Sequence, residues 1–243
     1  MQPMFRQKNS EPNISPQSRL DEATSTMANR PTDSFVKVLA LAKEGFTPAK
    51  NDVAGFYMNG IGCRKDEVQA VRWYEEAWRE GDIMAGLNLA QLKMHGIGTK
   101  IDVNGALGIC LDTFKTENEY HEGAEGLLKK IMMVLGEPPR DELNRYLSLF
   151  VKHIHSENFK LADNVITEAI DKYPAVWGLY KNRAIARSRI DDYAGAKSDL
   201  DIAIALNPQD SSLFEMRGMM RFNLRDPNAD EDFRHSEKMK KEV

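Results

Sequence analysis

The sequence predicts an all-α fold built as a solenoid of antiparallel helix pairs. Three observations predict it. Glycines, alanines and an acid recur at a spacing of 36 in the first half of the chain. Aromatic residues, alanines and prolines recur at 34 in the second half. Between the turns, apolar residues fall at three- and four-residue steps, the period of one buried helix face. Internal periods of this length signal stacked helical units rather than one closed core.

In chain order, residues 1–32 are rich in Gln, Asn, Ser, Pro and Thr and lack a continuous apolar run, so a disordered N-terminal tail is expected. Asp33 to Gly45 reads as the second helix of a pair whose first helix is missing, a cap on the array. The first complete pair follows. Its first helix runs from Thr47 to Asn59. Gly60-Ile61-Gly62 then supplies backbone angles that glycine adopts cheaply. Asp66 is a candidate N-cap for the second helix, which runs to about Glu80 and places Ala70, Trp73, Tyr74 and Ala77 on one face. Gly81 closes it. A shift of 36 places Gly60 on Gly96, Gly62 on Gly98, Asp66 on Asp102, Ala70 on Ala106 and Ala54 on Ala90.

Residues 33–117 are thus one array, and 118–142 hold a connecting helix stopped by Gly136 and the Pro138-Pro139 pair. Residues 143–243 form the second array, in which Tyr146, Tyr180 and Phe214 align at 34. So do Ala162 with Ala196, Ala169 with Ala203, and Pro174 with Pro208. Proline there cannot continue a helix and marks the turn between pairs. The third unit shortens its inner turn at "RDPNADEDF" and ends in a charged capping helix.

Composition narrows the function. Of 243 residues, 42% are hydrophobic and 29% charged, enough for a folded core. The net charge of -4, with both signs interleaved, argues against nucleic acid as a partner. No stretch reaches the ~18 apolar residues a membrane span needs, and no signal peptide is legible. A cytoplasmic protein with no membrane partner is expected. Cys63 and Cys110 lie far apart with no Cys-x-x-Cys spacing, so they read as small buried thiols and not as a zinc site.

The 36-residue part resembles Sel1-like repeats through Ala49, Ala54, Tyr57, Gly60, Gly62, Asp66, Ala70, Trp73, Tyr74, Ala77 and Gly81. Its second unit keeps Ala85, Leu89, Ala90, Gly96, Gly98, Asp102 and Ala106, with Lys93 in place of the tyrosine. The 34-residue part resembles tetratricopeptide repeats through Tyr180, Ala184, Tyr193, Ala196, Leu200, Ala203 and Pro208. Both resemblances imply a right-handed α-α superhelix that binds proteins or peptides on a concave surface and is not catalytic as a rule. Their combination resembles a bacterial protein.

The Gly-x-Gly elements lack the preceding strand that a phosphate loop needs, so they read as turns. His153 and His155 stand two apart on a helix and face different sides. Asp199 lies opposite Arg183 and Arg187, which points to ion pairing between helices. No catalytic, cofactor-binding or metal-binding residue is assigned. The tetratricopeptide resemblance implies that the first helix of each pair lines the groove. By helical spacing that exposes Leu147, Val151 and Ile154, then Lys181, Asn182, Ile185, Ser188 and Arg189, then Glu215, Met219 and Phe222. The clamp that tetratricopeptide proteins use for a C-terminal carboxylate spreads lysines and asparagines over several units. Only Lys181 and Asn182 fit it here, so an amphipathic helix or an extended peptide suits the groove better. The expected function is a scaffold or adaptor for a partner protein, with an immunity or regulatory protein that sequesters a toxin or effector as its narrower form. A self-assembling homo-oligomer is the alternative, and an enzyme with a site between the arrays is a remote one.

Overall fold

Backbone angles carry both periods. Gly45 and Gly81 have φ of +93° and +96°, Gly60 and Gly96 of +68° and +69°, and Gly62 and Gly98 of +67° and +66°, three pairs each 36 apart. Glu157, Asp191 and Arg225, spaced by 34, take φ of 56°, 61° and 58° although none is glycine. The computed structural model describes residues 14–115 and 120–241. Among them the chain is all-α, with helices joined by short turns and one 3-10 turn, Thr113–Lys115. It divides into two compact units: residues 1–92 with 96–100, and residues 93–95 with 101–243. The division falls inside the second 36-residue repeat.

In unit 1, α1 spans Pro16–Ser25, where a disordered tail is expected from composition. Ser15 caps it by accepting the Ser18 N–H at 3.2 Å, and Pro16 occupies the first turn, where its missing N–H costs nothing. Only Leu20 and Ala23 of this helix are buried, against Val38, Leu41 and Phe56. Leu20 alone is worth about 1.5–3 kcal/mol when buried. The Ser34 hydroxyl donates to the Ala23 carbonyl at 2.6 Å. Helix α2, Pro31–Lys43, therefore has its pair partner in α1 rather than standing alone as a cap. Residues 1–13 of the expected tail lie outside the described residues.

Helices α3 (Thr47–Asn59) and α4 (Glu67–Arg79) form the first complete pair. The loop between them closes by three backbone bonds: Gly60 and Ile61 donate to the Phe56 carbonyl, and Asp66 donates to that of Tyr57. The Asp66 carboxylate then accepts the Gln69 N–H at 3.0 Å. The next loop, between α5 (Ile83–His95) and α6 (Val103–Asp112), repeats all of this. Gly96 and Ile97 donate to Leu92, Asp102 donates to Lys93, and the Asp102 carboxylate accepts from Gly105 at 2.8 Å. The second glycine of each loop does more than turn. A Cβ on Gly62 would sit 2.0 Å from the Pro31 carbonyl oxygen, and one on Gly98 would sit 2.2 Å from that of Glu67. Pro31 and Glu67 are the first residues of α2 and α4 and are themselves 36 apart. Each Gly-x-Gly thus fastens one pair to the helix start of the pair before it.

In unit 2, α7 (His121–Leu135) packs on α6 and ends at Gly136. Residues 116–119, at the start of the connecting segment, lie outside the described residues. The pairs α8 (Arg140–His155) with α9 (Phe159–Lys172), α10 (Trp177–Ser188) with α11 (Tyr193–Leu206), and α12 (Ser211–Asn223) with α13 (Ala229–Lys241) follow. Their inner turns repeat one bond, since Asn158, Asp192 and Asp226 donate to the carbonyls of His153, Arg187 and Arg221.

Buried charge ties these helices together. Arg183 grips Asp199 with two nitrogens, Nε at 2.9 Å and a terminal one at 2.6 Å, and Arg187 adds a third contact at 3.1 Å. Arg217 grips Asp232 at 2.9 and 2.6 Å, with Arg221 at 3.1 Å. The arginines repeat at 34 and the aspartates at 33, so one residue fewer separates arginine from aspartate in the last pair. Asp199 is 1% and Asp232 2% exposed, so the pairing of Asp199 with Arg183 and Arg187 that the sequence predicts lies in the interior. Burial pushes the Asp199 carboxyl up, against the opposing pull of the two guanidinia; burial works against the Arg183 charge too, but its hydrogen bonds to Asp199 outweigh that and raise its pKa.

Candidate functional site

Unit 2 carries an apolar depression of about 660 Å³. The last turn of α10 supplies Ile185 and Ser188, and Arg189 follows it as the C-cap; α12 supplies Met216, Met219 and Phe222; Phe233 of α13 lies on its floor. Gly218 makes room for that floor, since a Cβ there would meet the Phe233 ring at 2.8 Å. Phe222 is 72% and Met219 47% exposed, large apolar surface left facing water. Methionine and phenylalanine together make a surface that adapts its shape to a partner. Arg189, exposed at the edge, has no ion-pair partner among the described residues and is the charged group of the lining.

Of the sequence-predicted groove residues, Ile185, Ser188, Arg189, Met219 and Phe222 come together here. Lys181 does not join them. Its ammonium donates to the Ser212 hydroxyl at 2.8 Å, lies 3.6 Å from Asp210 and sits over the Trp177 ring. Glu215 is paired with Lys240 at 2.6 Å. Asn182 is half-buried and outside the depression, and Leu147, Val151 and Ile154 stand on α8, away from it. Tyr193, Met216, Met220, Asn223 and Phe233 are the lining residues that sequence reasoning missed. The methionine-rich stretch "EMRGMMRFN" was a signal available for the two methionines.

Unit 1 holds a second, polar cavity of about 450 Å³. Asn51, Asp52 and Asn59 of α3, Tyr74 of α4 and Asn88 of α5 turn towards it, and Phe56, Ile61 and Met27 form its apolar wall. Burial, with the nearby charge of Asp82, pushes the Asp52 carboxyl up to about 6. Asn88 occupies the equivalent place one repeat later. Because the folded-state pKa is raised, Asp52 favours folding below about pH 4 and loses that contribution as pH rises through 6. The full difference corresponds to about 3 kcal/mol, reduced to about 1–2 kcal/mol because the cavity opens to solvent. Asp52→Asn is therefore expected to stabilise the protein by about 1–2 kcal/mol at pH 8, with the gain shrinking as pH falls towards 4. Urea melts across that range check it.

Neither cysteine is activated. Burial pushes the Cys110 thiol up to about 12, and it donates to the Ala124 carbonyl at 3.3 Å. Burial raises the Cys63 thiol as well. Both move away from the thiolate that nucleophilic chemistry needs. Among the described residues, no group of three or more His, Cys, Asp or Glu side chains is placed to hold a metal ion, and no helix is long and apolar enough to cross a membrane.

No protein-family model matches the chain, and no curated protein matches it. Solved structures do. A Sel1 repeat protein from Oxalobacter formigenes is 15% identical at a TM-score of 0.46, covering 94% of this chain and 89% of that one. The TPR2AB domain of yeast Sti1, in a pHSP90 complex, is 15% identical at 0.42, covering 94% and 92%. MamA from Desulfovibrio magneticus RS-1 is 15% identical at 0.36, covering 81% and 96%. The periodic turns, the glycine junctions and the repeated arginine–aspartate grips described above make this chain an all-α helical-repeat protein whose turns recur at 36 residues and then at 34.

Proposed function

We propose that the chain is a non-catalytic scaffold that takes up a partner polypeptide on the apolar depression of unit 2. The observation that carries this reading is the exposed Met219 and Phe222 beside Ile185, around a cavity with a phenylalanine floor. A partner presenting an apolar helix face or strand, with an acid positioned for Arg189, matches that chemistry. Affinity would come from a few desolvated aromatic and methionine anchors ringed by weaker contacts.

Met219→Glu and Phe222→Glu place a charge where the partner's apolar groups would sit. Each is expected to lower binding to the native partner at least tenfold, an effect near 1.4 kcal/mol or more. Because both residues are exposed, the melting temperature should stay within a degree or two. Co-purification from native cells, compared with wild type, reads the first outcome, and thermal melts read the second. Unchanged co-purification would remove the depression from the binding surface. The narrower reading, an immunity or regulatory protein that sequesters a toxin or effector, would be tested by whether the chain suppresses the toxicity of a gene product encoded beside it. The self-assembling alternative would show instead as a concentration-dependent mass in solution.

A further inference from the structure

The polar cavity of unit 1 is independent of that depression, and its chemistry is one-sided. The Asp52 carboxylate accepts no hydrogen bond and has no cation within ion-pair distance among the described residues, although Lys50, two positions earlier, is buried between Glu76 and Glu80. The Asn51 side-chain oxygen is shut off from solvent and has no hydrogen-bond partner among the described residues. Tyr74 is 7% exposed, and its hydroxyl lies at the cavity beside Gly55 with no hydrogen-bond partner among the described residues. Unsatisfied acceptors in a partly dry space cost stability unless something donates to them. The charge has one sign as well. Asp82, whose carboxylate caps α5 through the Ala85 N–H, adds a second negative charge nearby; Tyr74 faces the site from α4; Thr24 and Met27 close it from α1 and its following turn; and among the described residues no lysine or arginine lines it. The apolar wall of Met27, Phe56 and Ile61 suits a chain of methylenes leading to a charged head.

We propose that this cavity is a recognition site for an arginine side chain of a partner polypeptide, with the guanidinium at Asp52 and its further N–H groups shared among Asn51, Asn88 and the Tyr74 hydroxyl. A guanidinium fits better than an ammonium. It carries five donors in a plane and pairs a carboxylate through two parallel bonds, and it is more weakly hydrated. Asp52 is then the residue that function requires and stability does not, since the next repeat places an asparagine at the same position. The inference rests on the reading of the chain as a polypeptide-binding scaffold, but on another unit and another chemistry, so charges at Met219 or Phe222 leave it untouched.

The full chain is titrated by calorimetry with acetyl-Gly-Gly-Arg-Gly-Gly-amide, with the same peptide carrying neutral citrulline for arginine, and with agmatine. At pH 8 the arginine peptide should bind saturably and the citrulline peptide at least tenfold more weakly. Asp52→Asn should lose at least tenfold for the arginine peptide while melting higher than wild type, and Tyr74→Phe, which removes only the hydroxyl, should lose a few-fold. Between pH 8 and pH 5, protonation of Asp52 should weaken binding about tenfold, the fraction of carboxylate left one unit below a pKa of about 6. Equal binding of the arginine and citrulline peptides, equal binding by wild type and Asp52→Asn, or no saturable binding would overturn the proposal. Agmatine binding as tightly as the peptide would overturn the polypeptide source and make this a pocket for free organic cations. Loss of partner binding in the Met219 and Phe222 variants with arginine-peptide binding intact, or the reverse, shows which of the two readings has failed.

Discussion

Replacing Gly62 by alanine is expected to destabilise unit 1 by about 2–5 kcal/mol. Two penalties add. At φ +67° an L-residue costs about 1–2 kcal/mol relative to glycine. The new Cβ would also lie 2.0 Å from the Pro31 carbonyl oxygen and 2.8 Å from the Thr32 nitrogen, which are backbone atoms of another helix and cannot rotate away. Forcing them apart costs a further ~1–3 kcal/mol, as overpacking does. Gly45→Ala is the control. It has the same kind of backbone angle, φ +93°, with nothing within 4 Å of an added Cβ, so about 1–2 kcal/mol is expected. Chemical unfolding followed by circular dichroism compares the two. A Gly62→Ala protein no weaker than Gly45→Ala would mean that the second glycine of the loop is only a turn.

The second large effect is in unit 2. Asp199→Ala should cost about 3–5 kcal/mol, because it leaves Arg183 and Arg187 partly buried without their shared carboxylate. The cost arises chiefly from the Arg183 charge left behind, since Arg187 keeps Asp163 at 3.0 Å, so a compact apolar replacement of the whole Arg183–Asp199 pair would be much milder. Asp171→Ala, at an exposed position, should stay within about 0.5 kcal/mol. Urea midpoints for the two variants separate a buried grip from an ordinary surface charge.

Much of this fold was legible because the turns are spelled in glycine, proline and aspartate. The bounds of α3 and the cap of α4 follow from Gly60 and Asp66, since few residues other than glycine take a left-handed angle cheaply and an aspartate before a helix satisfies its free N–H groups. Helix α1 was not legible, for a physical reason. Its ten residues are mostly polar, and only Leu20 and Ala23 are buried, so no amphipathic period stands out. The signals that remained were local, a serine followed by proline at a helix start.

The candidate sites show the same limit. Helical spacing placed Ile185, Arg189, Met219 and Phe222 on first helices, and four such positions do share a depression. Spacing could not say that Lys181 is held by Ser212 and Asp210, or that Phe233 of a second helix forms the floor, because those contacts come from neighbouring helices. Nor did it mark Asp52. That residue becomes conspicuous once the repeats are superposed and an asparagine appears in its place at position 88, and once the fold leaves its carboxylate without a donor.

The central claim, that the function lies on the surface these repeats hold and foremost on the apolar depression of unit 2, is tested most directly by photo-crosslinking in native cells. A photoreactive amino acid is placed at Met219, inside the depression, and separately at Lys238 on the closing helix, outside its lining. One discrete adduct with another protein from position 219, absent from position 238, is the predicted result. Identical adducts from both positions, an adduct of twice the chain's own mass, or none from 219 would contradict it.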